Sequence, residues 1–301
     1  MSFLRAVTIE TDFIGVTENK GEIIVNDGIK NTAQAIGTDG YVLTADSTQA
    51  TGIKWAPSTG SASVSATQKI LAATFSTNIT TPIELTDFTF TPTTGTYLIM
   101  VNLTYAISQQ SRTMTIGIYK NNTLITDAAR TLQNAGSNMR LSFTMQICSA
   151  ASGTDVFSIK VNSSNNSSTV QVFDGTTTYL KISSCIVTAA SSTITTNSTN
   201  PFEITDLGST PPVGSYYIMC NFLYGMSRIN QTFTTGLYKS NSLISGTDRI
   251  IQTTPGLREV FQVNFVTTFD GSQAFQVKVN VSNSNTTLTI YDRNIIMVPL
   301  I

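Results

Sequence analysis

The chain has 301 residues, 18 acidic and 17 basic side chains, a formal net charge of -1 and no histidine. Charged residues make up only 12%, against a usual value of about 25%, and without a basic run they exclude a phosphate-gripping or nucleic-acid surface. No apolar stretch reaches the roughly 18 residues of a membrane helix, so no membrane insertion is expected, while 41% hydrophobic residues suffice for packed cores.

From the start, Met1-Ser2-Phe3-Leu4-Arg5 shows no apolar run ending in a small-residue cleavage site, so no signal peptide is expected. Residues 1–66 hold short β-like pieces, at 6–9 and 22–25, among turn residues. They carry no convincing core, and the expectation is an extended segment ordered by neighbouring chains. Residues 58–63, Ser-Thr-Gly-Ser-Ala-Ser, read as a hinge.

Beyond this point, apolar and polar residues alternate in short runs separated by Gly, Asn, Asp and Ser, the signature of strands and turns. In Gly95 to Tyr105, the side chains of Tyr97, Ile99, Val101, Leu103 and Tyr105 share one face because side chains alternate along a strand. Leu141, Phe143, Met145 and Ile147 repeat the pattern, as do Phe157, Ile159 and Val161.

The chain also repeats itself. Pro82-Ile83-Glu84-Leu85-Thr86-Asp87 returns as Pro201-Phe202-Glu203-Ile204-Thr205-Asp206, an offset of 119. Gly95-Thr96-Tyr97 returns as Gly214-Ser215-Tyr216, Gly117-Ile118-Tyr119-Lys120 as Gly236-Leu237-Tyr238-Lys239, and Arg130 as Arg249, all at the same offset. The later strands follow at 118, so one residue is dropped in the loop between Arg130 and Phe143. A unit of this length is a domain, not a solenoid repeat. The expected organisation is all-β: an N-terminal segment at 1–66, one module at 67–185 and a second at 186–301. The junction carries no Pro/Gly-rich linker, which implies closely coupled modules.

Candidate chemistry is sparse. Without histidine, Ser-His-Asp and Cys-His catalysis are excluded, and no metal set forms. Glu84 and Glu203 are copies of one position, not a catalytic carboxylate pair. Cys148, Cys185 and Cys220 are an odd, sparse set that reads as buried small side chains, not as a disulfide framework. No catalytic residue and no cofactor is expected, and the chain reads as a non-enzyme. Asn-x-Ser/Thr sequons are plentiful, but a chain this rich in Asn, Ser and Thr produces them by composition.

Lys20-Gly21-Glu22-Ile23-Ile24-Val25, with Gly37-Thr38-Asp39-Gly40-Tyr41-Val42-Leu43-Thr44-Ala45-Asp46-Ser47-Thr48 and Ala50-Thr51-Gly52-Ile53-Lys54-Trp55-Ala56, resembles a segment of tail fibres of tailed phages and related virion proteins. It departs from that pattern at Glu22 and Tyr41, neither of which disturbs the turn glycines. The two modules resemble the jelly rolls of the complement globular-head and tumour-necrosis-factor superfamily. The likeness rests on Gly95-Thr96-Tyr97, on Gly117 to Asn122, and on Val172-Phe173-Asp174-Gly175 with Tyr179-Leu180-Lys181-Ile182; in the second copy Arg293 replaces the glycine. These resemblances imply two tandem jelly-roll β-sandwich modules after a fibre-like segment, a virion location, a homotrimer, and attachment to other virion proteins through the N-terminal segment. They imply a fibre or spike that binds a host surface glycan or protein. A minor capsid, cement or decoration protein that stabilises a shell is the alternative.

The tyrosines kept in both copies, Tyr97, Tyr105, Tyr119, Tyr216, Tyr224 and Tyr238, read first as core residues, next as a stripe along a trimer axis, and last as platforms for carbohydrate stacking. Recognition is expected in the loops at 108–113, 121–130, 134–139 and 162–168 and their second-copy counterparts, with no ligand named by them. The short junction implies that the ends carrying the module termini lie together. Either a pseudo-six-fold ring or two back-to-back trimeric layers follows, and the shared tyrosines favour the layers.

Overall fold

A computed structural model describes residues 19–57, 65–133, 136–228, 230–252 and 257–300. The β-like piece expected at 6–9 and the hinge at 58–63 lie outside the described residues. The chain divides into a unit ending at Ala62 and a second running from Ser63 to Ile301.

The first unit contains two hairpins, β1 (Ile23–Asn26) with β2 (Asn31–Gln34) and β3 (Tyr41–Ala45) with β4 (Ile53–Pro57). The connection of the first hairpin holds Gly28 at φ +90°, and Gly52 enters β4 at φ +70°, the left-handed region where glycine is free of strain. Asp46 accepts an ion pair from Lys54 at 2.8 Å and a hydrogen bond from the Thr48 hydroxyl at 2.7 Å. The Trp55 indole donates to the Ala35 carbonyl at 2.7 Å. Every residue of β3 is exposed.

The second unit is two β-sandwiches, and among its described residues there is no α-helix. The first sandwich contains β5 (Ala66–Ile70), β6 (Phe75–Thr77), β7 (Ile83–Glu84), β8 (Gly95–Ile107), β9 (Thr113–Lys120), β10 (Thr123–Gln133), β11 (Leu141–Ala151), β12 (Phe157–Ser163) and β13 (Val170–Ile182). One sheet has the order β11-β8-β13-β5, with β6 also on β13; the other has the order β10-β9-β12-β7. All pairings are antiparallel. From β7 onward the chain crosses between sheets at every step except the β9–β10 hairpin, which is the jelly-roll path.

The second sandwich repeats this with β14 (Ile186–Ala190), β15 (Ile194–Thr196), β16 (Phe202–Glu203), β17 (Gly214–Met226), β18 (Thr232–Lys239), β19 (Ser242–Leu243), β20 (Arg249–Gln252), β21 (Glu259–Phe269), β22 (Phe275–Val281) and β23 (Leu288–Leu300). Its sheets are β14-β23-β17-β21, with β15 on β23, and β16-β22-β18-β19, with β20 on β18. The long β10 of the first copy is thus split into β19 and β20.

Each sandwich closes over its own core. The expected inward face of β8, from Tyr97 to Tyr105, is buried against Ile116, Ile118, Phe157 and Ile159 from the opposite sheet. Burial on this scale stabilises by roughly 1.5–3 kcal/mol per large apolar side chain. At the β13 bulge, Gly175 leaves no room for a side chain: an added Cβ would sit 2.5 Å from Leu103 and 2.9 Å from the Asn102 carbonyl. Its counterpart Arg293 is fully buried. Its guanidinium donates to both carboxylate oxygens of Asp206 and to the Ser192 and Tyr291 carbonyls. The second copy has therefore replaced a glycine contact with an internal ion pair.

The reading of the cysteines needs correction. Cys220 is a fully buried free thiol, as expected, but Cys148 and Cys185 are joined by a disulfide. Cys185 lies just past the end of β13, where the link to the second sandwich crosses the outer side of β11 and brings the two Cα atoms to 6.8 Å. Sequence spacing carries no sign of that approach.

Candidate functional site

The features that distinguish this molecule from two unconnected sandwiches lie at their seam. On β8 the outward residues are Leu98, Met100, Asn102 and Thr104; on β17 they are Tyr217, Met219, Asn221 and Leu223. Leu98, Met219 and Ile296 form a small apolar cluster with Leu180, Ile182 and Val298 around it. These residues sit where β5 and β14 begin and β13 and β23 end, so the termini-bearing ends do lie together.

Farther along, the seam becomes lopsided. Asn221 and Asn294, each 1% exposed, donate side-chain amide hydrogens to the Thr144 and Gln146 carbonyls of β11 at 3.2 and 2.6 Å. Leu223 belongs to the core of the first sandwich, and Val260 and Tyr291 pack against it. Gln133 at the end of β10 forms a β-bridge with Arg258. The edge β10–β11 of the first sandwich is therefore seated on the outer face of β17 and β23 of the second.

Charge follows the same seam. Arg130 is 2% exposed and donates to the Asp127 and Ala129 carbonyls at 2.8 Å, while its Nε and Nη2 have no hydrogen-bond partner. Burial lowers its pKa, and the attraction of Asp292 works against that. Burial in turn holds Asp292 above the ordinary carboxylate value, opposed by Arg130 and by a hydrogen bond from the Thr131 backbone. The Arg258 guanidinium lies 4.0 Å over the Tyr291 ring, a cation–π contact at the rim.

The equivalent face of the first sandwich is covered at its Leu98 end and open farther along. Asn102 and Asp174 are exposed and Thr104 and Thr176 half-buried. They line a cleft of about 530 Å³ with Ser142, Thr144 and, from β21 of the second sandwich, Val260. Arg140 stacks on Phe173 at 3.8 Å, the counterpart of Arg258 on Tyr291. The equivalent edge of the second sandwich is open too: Ile250 is 74% exposed and Val266 59%, and Arg249 is exposed. The seam thus uses the outer face of the second sandwich together with the β10–β11 edge of the first and the Leu98 end of its outer face.

Of the six tyrosines, Tyr97, Tyr105, Tyr216 and Tyr224 are buried in the two cores. The Tyr97 hydroxyl pairs with the Thr93 hydroxyl at 3.0 Å, Tyr216 donates to the Pro212 carbonyl at 3.2 Å, and Tyr224 donates to Glu259 at 2.8 Å. These four have no face to offer another chain, because the sheet that carries them covers them. Tyr119 and Tyr238 are half-buried on the other sheet, with Lys160 and Lys278 at 5.0 and 4.9 Å from their ring centres.

The expected recognition loops lie at strand connections. In 162–168 the side chain of Asn165 accepts from the Ser167 backbone and hydroxyl at 2.7 and 2.6 Å, and Asn78 donates to the Asn166 carbonyl at 2.9 Å. In 121–130 positive φ at Asn121, Asn122 and Asp127 shapes the turn. Residues 134 and 135 lie outside the described set. No group of three or more His, Cys, Asp or Glu that could hold a metal occurs among the described residues, and no described helix is long and apolar enough to cross a membrane.

No family model matches the chain, and no curated protein matches it. Among solved structures it is similar to the CBM22-1-CBM22-2 tandem domain of Xyn10C from Paenibacillus barcinonensis, at 9% identity and TM-score 0.27, over 87% of this chain and 94% of that one. It is also similar to the VP2 subviral particle protein of infectious bursal disease virus, at 7% identity and TM-score 0.30, over 78% and 72%. A third likeness is to the insecticidal delta-endotoxin Cry8Ea1 from Bacillus thuringiensis, at 8% identity and TM-score 0.27, over 69% and 54%. Likenesses this distant, to proteins this different, assign no function, and the fold rests on the strand topology itself.

Proposed function

We propose that the chain is a non-enzymatic structural component of a virus particle: a homotrimeric fibre or spike subunit, held to other virion proteins by its N-terminal segment and presenting jelly-roll loops to a host surface glycan or protein. The observation that carries the reading is the fibre-like stretch from Lys20 to Ala56, whose turn glycines hold two small hairpins with exposed apolar residues, Val42 and Leu43 among them. Such hairpins gain their order from neighbouring chains, as a fibre segment does. The jelly rolls behind it place polar loops on rigid sandwiches, where binding residues usually sit.

Light scattering of the full chain should give about three times the 32.4 kDa subunit mass; a stable monomer at micromolar concentration overturns the trimer. Removing residues 1–66 should leave folded sandwiches that no longer enter particles. A low-resolution map of intact particles separates the two virion roles. A projecting knob supports the fibre, and a molecule lying flat beneath its neighbours supports the cement or decoration role instead.

A further inference from the structure

We infer that the cleft on the outer face of the first sandwich binds a neutral sugar, held by side-chain amide, hydroxyl and carboxylate groups. This goes beyond the reading above, which leaves recognition to the loops and to a glycan or a protein alike, and it rests on that reading only for where the sugar comes from.

The site is a grid of six side chains on three adjacent strands. Thr144, Asn102 and Thr176 stand side by side across β11, β8 and β13, and Ser142, Thr104 and Asp174 form the next row. Neighbours across strands are about 4.8 Å apart and the rows roughly 6.6 Å apart along them, so several groups reach one small ring at once. The Thr144 carbonyl is taken by Asn221, but among the described residues none of the six side chains makes a hydrogen bond to the protein. The cleft they line holds about 530 Å³, within the size range of small-molecule sites. Ile70, beside Thr176 on β5, and Val260 complete the lining with apolar surface for the C–H groups of a ring.

Comparing the copies says what kind of occupant fits. At the equivalent positions the second sandwich has Gln262, Asn221 and Asn294 in one row and Val260, Leu223 and Asp292 in the other, and there the β10–β11 edge is seated. The first sandwich keeps the amide and the carboxylate, as Asn102 and Asp174, and has Ser or Thr at the other four. The shorter side chains open the cleft, and the loss of Leu and Val removes the apolar area that a protein edge needs at the centre of a contact. Each Ser or Thr hydroxyl both donates and accepts, the Asn amide offers both, and a carboxylate accepts at two oxygens. Sugar hydroxyls also do both, so a sugar pairs with every group of the grid and leaves no donor stranded. Asp174 is the one charged group of the lining, which disfavours an anion, and no metal-holding group of His, Cys, Asp or Glu occurs among the described residues.

The test is ligand-observed NMR titration of the full chain with the methyl glycosides of glucose, galactose, mannose and N-acetylglucosamine, and with N-acetylneuraminic acid as the anionic comparison. At least one neutral glycoside should bind with a Kd on the order of millimolar, since an open polar face covers only part of a single ring. Asn102→Ala and Asp174→Ala should each weaken that binding about tenfold, and the acidic sugar should bind more weakly than the best neutral one. Thr104→Leu with Ser142→Val, which gives the first copy the side chains of the second, should abolish binding while circular dichroism shows the fold unchanged; if that variant misfolds, the two alanine variants decide. Binding that none of these substitutions weakens puts the sugar elsewhere, and overturns the inference while a glycan site in the loops stands. If no glycoside binds, or the acidic sugar binds best, the inference fails, and the particle map still decides the fibre role by itself.

Discussion

Replacing Asp206 by alanine strips the carboxylate from a guanidinium that has no access to water, since Arg293 is 0% exposed. Two charge-assisted hydrogen bonds disappear, each worth about 1.5–3 kcal/mol net. Against that, Arg293 keeps the Ser192 and Tyr291 carbonyls and the Ser192 hydroxyl. The Asp206 side chain is 34% exposed, so part of the attraction is screened by solvent. The balance is a loss of about 3 kcal/mol, at the low end of what breaking a buried pair costs. For a unit of this size that lowers the midpoint of thermal unfolding by roughly 6–12 °C. The informative comparison is the double variant Asp206→Ala with Arg293→Met, in which no charge is left stranded; it should recover about 2 kcal/mol of the loss. Urea unfolding followed by circular dichroism measures all three. The reasoning is refuted if Asp206→Ala costs less than about 1 kcal/mol, or if the double variant is less stable than the single one.

Other outcomes follow from the same geometry. Burial pushes the Cys220 thiol up to about 12, so a thiol reagent should find no reactive cysteine in the native chain, one after unfolding without reductant, and three after unfolding with it. Asp155 is held below the usual carboxylate range by the Ser152 backbone N–H and the Asn121 side chain. Its stabilisation is thus present above its unfolded value of 3.8 and lost as pH falls further; stability curves of Asp155→Asn should be lower at neutral pH and flatter below 3.8. Leu223→Ala empties a site in the core of the other sandwich and should cost about 3 kcal/mol, splitting the unfolding of the two sandwiches into separate transitions; a single unshifted transition would show that Leu223 contributes nothing to the seam.

The strands and cores were legible because each inward face is an unbroken alternating run, and Tyr97 to Tyr105 needed only the period of two. The repeat was legible because aromatic and glycine positions kept their order. The disulfide was not, because Cys148 and Cys185 belong to elements brought together by the link between sandwiches. The seam was missed for a different reason: on outward faces both copies mix polar and apolar residues, and neither alone says which is covered. Comparing the copies would have said it. Thr104 against Leu223, Ser142 against Val260 and Thr178 against Ile296 turn apolar together on one side of one sheet, and all three lie where the second sandwich is covered. The ambiguity of the tyrosines had the same root, since a periodic pattern fixes which face a ring takes but not which neighbour covers that face.

Only residues 183–185 separate β13 from β14, and Cys185 ties that link to β11. The second sandwich therefore meets the first at an effective concentration on the order of millimolar, whatever the dilution of the chain. A seam supplied in this way stays closed with buried amides such as Asn221 and Asn294 at its centre, where freely diffusing partners would need a drier contact. Dilution leaves such a seam untouched, so a preparation at any concentration should contain intact pairs of sandwiches and no separated ones.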